Sequence, residues 1–206
     1  MPITVLGGTK VADTGYEVAN SVRFNRGDSP RLSKTFGTPT NQDRWTFSVW
    51  CKRSGLGTTQ NLCACQSSGT KLTSLRFDSD NCLNFYDYNG AYTGQIKTIR
   101  DFRDVSAWYH IVIVWDSANG TAGDRMKMYV NGVEETVFSA DTNPSSGLDS
   151  DMNTSGETFD LGNANNGNFF DGYLAEAVFV DGQALAPTSF GEFDEDSPTI
   201  WKPKDV

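Results

Sequence analysis

At 206 residues with no evident linker, the chain has the size of a single all-β domain; its 20 glycines and 12% aromatic residues, set among clusters of Ser, Thr, Asn and Asp, suit many strands joined by turns. A formal charge of -9 argues against a nucleic-acid backbone or an anionic membrane as partner, because either would be repelled at long range. No apolar run is long enough to cross a bilayer, and residues 1–20 lack the basic start and apolar block of a signal peptide, so no leader is expected.

In chain order, residues 1–20 read as an extended Gly/Thr/Ala-rich arm, followed by one domain over residues 21–206 with a short C-terminal tail. Strands are expected at 21–25 and 32–36, flanking Arg26-Gly27-Asp28-Ser29-Pro30, where Gly-Asp and Ser-Pro are turn formers rather than an adhesion signal. Residues 45–52 alternate: Trp45, Phe47, Val49 and Cys51 share one face, and Thr46, Ser48, Trp50 and Lys52 the other. Further strands are expected at 61–66, 71–77, 82–88 and 94–100, and their even spacing with Gly/Asn/Asp breaks marks a sandwich or barrel.

Residues 108–115 are an almost unbroken β-branched and aromatic run, as in a strand covered on both faces. In 125–131 Met126, Met128 and Val130 alternate with Lys127 and Tyr129, Asn131-Gly132 fits a two-residue hairpin turn, and 133–138 is expected to return as a third strand. Residues 139–156 follow as a long polar loop with Asp141, Asp149 and Asp151, a candidate interaction loop. Strands at 157–162 and 170–180, a turn at Asp181-Gly182, a short helical turn at 187–190 and a surface tail at 192–206 complete the chain. The four cysteines, Cys51, Cys63, Cys65 and Cys82, fall in strand-like segments. Their spacing lacks the paired hooks of a zinc site, which leaves small apolar filling in a reducing compartment.

The segments WYHIVIVWD, MKMYVNG and FFDGYLAEAVFVDGQALAPTSF, in that order, resemble the laminin-G-like branch of the concanavalin A-like lectin/glucanase superfamily. The resemblance covers about residues 21–201. More narrowly, YEVANSVRFNRGD, LSKTF, WTFSVWCKRS, FRDVSAWYHIV and DGQALAPTSFGEFDED resemble laminin-G-like proteins encoded by tailed phages. The resemblance implies a two-sheet antiparallel jelly-roll β-sandwich. It implies a virion structural protein, a capsid decoration or fibre or a tail-associated protein, made in the host cytoplasm and displayed on the virion surface. It further implies contacts with other virion proteins through residues 1–20, a homo-oligomer such as a trimer, and cell-surface glycan as a ligand. A carbohydrate-active hydrolase of the same fold and a ligand-free cement protein are the alternatives.

Candidate sites follow from residue chemistry. Sugar binding needs aromatic faces for the apolar sugar face and amides or carboxylates for the hydroxyls; Tyr86, Asp87, Tyr88 and Tyr92, with Asn165 and Asn166 in the 163–170 loop, supply both. Calcium, held by many members of this superfamily, would find Asp78, Asp80 and Asn81 as its oxygen cluster. Two carboxyl groups about 5 Å apart are what a retaining glycosidase requires. Glu192, Asp194 and Asp196 have a related spacing but sit beside a turn, and Glu176, between Leu174 and Val178 on one face of an otherwise apolar strand, reads as a hydrogen-bond acceptor. His110 is the only histidine; it lies mid-strand and no Gly-x-Ser-x-Gly elbow accompanies it, so nucleophilic catalysis is not expected. No catalytic residue is assigned.

Overall fold

The computed structural model describes residues 16–164 and 167–206. Its strands are β1 (Val22–Phe24), β2 (Leu32–Thr35), β3 (Arg44–Arg53), β4 (Gln60–Ser68), β5 (Lys71–Phe77), β6 (Cys82–Asn89), β7 (Tyr92–Asp101) and β8 (Tyr109–Asp116). They continue as β9 (Met126–Val130), β10 (Val133–Glu134), β11 (Phe138–Thr142), β12 (Thr158–Leu161), β13 (Gly172–Asp181), β14 (Gly191–Phe193) and β15 (Trp201–Pro203). Two antiparallel sheets face each other: a six-stranded sheet in the order β1-β13-β3-β8-β9-β10 and a seven-stranded one in the order β11-β7-β6-β5-β4-β12-β2. This is the jelly-roll sandwich that the alternating strands anticipate.

The core lies between the sheets, because alternation sends every second side chain inward. Trp45, Phe47, Val49 and Cys51 of β3 meet Leu75, Phe77 and Phe85 from the opposite sheet. Trp45 stacks on Trp115 at 6.3 Å and on Phe179 at 5.6 Å between ring centroids. Cys63 and Cys65 share this inner face, and all four cysteines are free and buried. Burial pushes the Cys51 and Cys65 thiols up to about 12 and raises Cys63 and Cys82 as well, so they act as small apolar side chains rather than nucleophiles.

Four expectations are corrected. The return leg after Asn131-Gly132 is not one strand: β10 pairs with β9 for two residues, and after a break β11 pairs with β7 in the other sheet. The chain crosses the sandwich there, so Phe138 reaches the core from the opposite side. The 139–156 segment is not a free loop either. It begins in β11, Met152 is fully buried, Ser150 accepts from Trp45 Nε1 at 2.9 Å and the Leu148 carbonyl accepts from Trp115 Nε1 at 3.2 Å. Two core indoles thus anchor it.

The C-terminal tail is a hairpin, β14 with β15, folded over the outer face of the six-stranded sheet. Trp201 lies there with Trp50 and Ala175, against ring-free Gly132 and Gly191, where a Cβ would overlap the Trp201 ring. Finally, Glu176 does not lie on one face with Leu174 and Val178. Ala175 pairs with Trp50 and Val178 with Ser48, so β13 carries one extra residue, a β-bulge, and Glu176 adopts a left-handed φ of 45°. The bulge reverses the phase: Leu174 and Phe179 both reach the core although they stand an odd five positions apart.

At such a φ a non-glycine residue costs about 1 kcal/mol or more. Glu176→Gly is therefore expected to stabilise the protein by about 1 kcal/mol, read as a higher urea midpoint, despite losing the acceptor of the 2.9 Å bond from Tyr16 Oη. A decrease would show that the Tyr16 contact outweighs the backbone strain.

Candidate functional site

The outer face of the seven-stranded sheet is polar, and the register lays its side chains in rows. Asn61, Arg76, Asn84 and Lys97 follow one another across β4, β5, β6 and β7, Ser74, Tyr86 and Gln95 form the next row, and Leu72, Tyr88 and Tyr92 the third. These rows are the half of the strands turned away from the core, although Asn61, Ser74, Asn84 and Tyr86 are themselves buried.

Hydrogen bonds hold the floor rigid. Arg76 donates from Nε to Asp78 Oδ1 at 2.6 Å and from Nη1 to Tyr86 Oη at 3.0 Å, with its guanidinium 4.7 Å from the Tyr86 ring centroid. Ser74 Oγ donates to Asn61 Oδ1 at 2.7 Å, and Gln95 Nε2 to Asn84 Oδ1 at 3.2 Å. Tyr92 stands edge-on to both Tyr86 and Tyr88, at 5.5 and 5.3 Å, and is 44% exposed. A side chain fixed by neighbours loses little further entropy when it meets a ligand.

The segment before β13 forms the wall. Asn168 accepts at its carbonyl from the Asn61 backbone N–H at 2.8 Å, and Ala164 bridges Gly167. Between wall and floor lies a groove of about 270 Å³, lined by Asn61, Gln66, Leu72, Arg76, Tyr86 and Asn168 among others. Gln66 Oε1 is buried at this groove without a hydrogen-bond partner. The groove thus offers amides, a guanidinium and an unsatisfied acceptor above the largely buried Tyr86 ring, with the exposed Tyr92 ring standing against Tyr86, and the described residues lining it carry no carboxyl group.

The structure brings Tyr86, Tyr88 and Tyr92 together on this face, with Tyr86 lining the groove beside Ala164, Gly167 and Asn168; Asn165 and Asn166 lie outside the described residues. Asp87 is placed elsewhere. It alternates to the inner face, is 4% exposed, and accepts from Thr73 Oγ1 at 2.6 Å, from Thr93 Oγ1 and from the Asp151 backbone N–H at 3.2 Å. Its role is to pin the crossing segment. Asn61, Gln66, Arg76, Asn84 and Gln95 are the floor residues that sequence reasoning passed over, although period-2 alternation in 71–77 and 82–88 already sets Ser74 with Arg76 and Asn84 with Tyr86.

Asp78, Asp80 and Asn81 do not fit a calcium ion in this arrangement. Lys97 Nζ lies 3.0 Å from Asp78 Oδ2 and 2.7 Å from Asp80 Oδ2, and Asn81 Oδ1 accepts from Arg53 Nη2 and the Gly57 N–H. Cationic side chains and an amide N–H hold the oxygens that a metal would need. Among the described residues no group of three or more His, Cys, Asp or Glu side chains is placed to hold a metal ion.

The other chemical candidates are likewise engaged. Lys202 bridges Glu192 and Asp194 at 3.5 Å each, and Asp194 Oδ1 accepts from the backbone N–H groups of Asp196 and Ser197, so these carboxylates close a turn. His110 is buried on the outer face of the six-stranded sheet, stacked on Trp50 at 4.7 Å and Trp201 at 5.9 Å. Trp201 Nε1, which can only donate, lies 2.8 Å from His110 Nδ1, so Nδ1 accepts. In the neutral ring the proton is then on Nε2 and is donated to Ser48 Oγ, 2.8 Å away. That polarity is the reverse of what an activated serine requires.

The family model described as the concanavalin A-like lectin/glucanases superfamily matches residues 26–188. No curated protein matches the sequence. Among solved structures, the chain is similar to a heptameric SAP-like pentraxin from Limulus polyphemus, at 21% identity over 82% of this chain and 78% of that one, with a TM-score of 0.57. It is also similar to domain 4 of AbnA, a GH43 extracellular arabinanase from Geobacillus stearothermophilus in complex with arabinotriose, at 18% identity over 77% and 85% of the two chains and a TM-score of 0.55. A third is the CBM40 of the Ruminococcus gnavus IT-sialidase bound to alpha2,3 sialyllactose, at 12% identity over 77% and 95% and a TM-score of 0.53. At these identities the likeness is one of fold.

Proposed function

The chain belongs to the concanavalin A-like lectin/glucanases superfamily, and on that premise we propose that it binds glycans without cleaving them, in the groove on the outer face of its seven-stranded sheet. One observation carries this reading: the groove joins amide and guanidinium groups to the Tyr86 ring, against which the exposed Tyr92 stands, while its described lining has no carboxyl group. Stacking and multiple hydroxyl contacts are the requirements of sugar recognition; glycosidase chemistry requires a carboxyl pair. The structural relatives solved with arabinotriose and sialyllactose support a sugar ligand.

The proposal includes display on a tailed-phage particle, with residues 1–20 meeting other virion proteins. The ordered phage-like motifs from YEVANSVRFNRGD to DGQALAPTSFGEFDED support that part. Labelling the chain in a particle reconstruction tests it, and absence from the virion sinks it.

Binding is tested on a glycan array followed by calorimetry. Arg76→Ala and Tyr92→Ala are each expected to weaken the best hit by roughly tenfold, the loss of about 1.4 kcal/mol. An array negative for every glycan would instead favour a ligand-free cement. Reducing sugar released from bound polysaccharide would favour a hydrolase.

A further inference from the structure

On the opposite side of the molecule, over the outer face of the six-stranded sheet, lies a second cavity of about 310 Å³. Trp50, Trp108, Ala175, Val18, Asn20 and Pro203 line it. Its floor is Trp50, 9% exposed, whose indole N–H is buried without an acceptor. The other deeply buried indoles are all satisfied: Trp45 donates to Ser150, Trp115 to the Leu148 carbonyl and Trp201 to His110. A buried donor left unpaired costs about 1–3 kcal/mol, a cost that a ligand acceptor reverses.

The surroundings narrow the chemistry of that acceptor. Trp108, 37% exposed, offers an aromatic face beside the unpaired donor, while Val18 and Ala175 make the adjoining wall apolar and Asn20 adds an amide. A ligand must therefore bring an oxygen to Trp50, an apolar group to Val18 and Ala175, and a ring face to Trp108. A plain hexose meets the first and last conditions but would place a hydroxyl against the apolar wall, where it finds no partner. An acetamido group meets all three together with its sugar ring: its carbonyl accepts, its methyl fills the apolar corner, and the ring stacks.

We propose that the Trp50–Trp108 cavity is a second ligand site, for the N-acetylhexosamine residues of a glycan. It shares no residue with the groove and does not rest on the reading given to that face. Two sites on opposite sides would let one molecule bridge two chains of a glycan layer, with the gain that multivalency brings.

The test is a titration of the ¹⁵N-labelled full chain with N-acetylglucosamine and, in parallel, N-acetylgalactosamine and glucose, following the indole N–H and side-chain amide resonances. The Trp50 indole signal is expected to shift and saturate on the order of millimolar for at least one acetamido sugar, with glucose roughly tenfold weaker. Trp108→Ala, a change at a partly exposed ring, is expected to weaken the response by roughly tenfold while the spectrum stays dispersed. A Trp50 signal unmoved by either acetamido sugar overturns the proposal. So does an equal response to glucose, or a shift confined to the Asn61 and Asn84 amides of the other face.

Discussion

Trp201→Ala is expected to destabilise the protein by about 3–5 kcal/mol, the range for emptying a buried aromatic site. The ring is clamped on four sides: it stacks on His110, meets Phe193 edge-on at 4.9 Å, and lies against Gly132 and Gly191, where no side chain could intrude. Its removal also takes from His110 Nδ1 the indole donor, a bond that entering water must replace. Trp201→Phe keeps most of the packing and loses the hydrogen bond, so it should cost about half as much. Urea unfolding monitored by circular dichroism separates the three proteins. An Ala variant within about 1 kcal/mol of wild type would mean that the hairpin is not held by this ring.

The same substitution has a pH signature. Burial lowers the His110 pKa from 6.5 to about 4. The unfolded chain therefore binds a proton between those values that the folded protein does not, so stability falls as pH drops from 6.5 toward 4, by on the order of 3 kcal/mol. Opening the site in Trp201→Ala admits water to the ring, and the difference between wild type and variant should shrink as pH falls through this window. A difference that stays constant with pH would show that His110 remains sealed without the indole.

A second large effect is expected at Arg53. Its side chain is fully buried, donates to the Phe102 carbonyl at 2.6 Å and to Asn81 Oδ1 at 3.1 Å, sits 4.2 Å from the Phe77 ring centroid, and makes no ion pair among the described residues. Burial lowers its pKa from the ordinary value. Arg53→Ala removes the donor to the Phe102 carbonyl and opens a cavity, so a loss of about 3–5 kcal/mol is expected. Arg53→Met keeps the volume and removes a desolvated charge, which should recover about 2 kcal/mol of that loss. If Met proves as damaging as Ala, the hydrogen bonds rather than the packed volume hold the rim.

How much of this was legible in the residues depended on the kind of signal each segment carried. β3, β8 and the Asn131-Gly132 turn were readable because alternation, β-branching and a positive-φ dipeptide are local, and Asn131 and Gly132 do adopt φ of 50° and 78°. The groove tyrosines were readable as a face for the same reason, and that alternation equally sends Asp87 away from them. The bulge at Glu176 was not, since the residues around it are apolar on both sides and a phase reversal leaves no trace in such a run. Trp201 looked like surface because it stands in a short stretch rich in Pro, Lys and Asp with no alternation, while its partners His110 and Gly132 lie far back in the chain. The engagement of Asp78 by Lys97 was hidden in a cross-strand register that only the fold sets.

The strand order bears on how the molecule is made. β3 is flanked by β8 and β13, so residues 44–53 complete their pairing only with residues 172–181. During synthesis the edge of β3 that β13 will cover, together with the Trp45 and Phe47 rings that meet Phe179 and Phe159, stays open until most of the chain has left the ribosome. Closure is thus a late, non-local event of the slow kind expected for sandwiches. Expression at lower temperature should raise the soluble yield more than any change in the groove, because it lengthens the time the unfinished sheet has to find its last strand before it finds another copy.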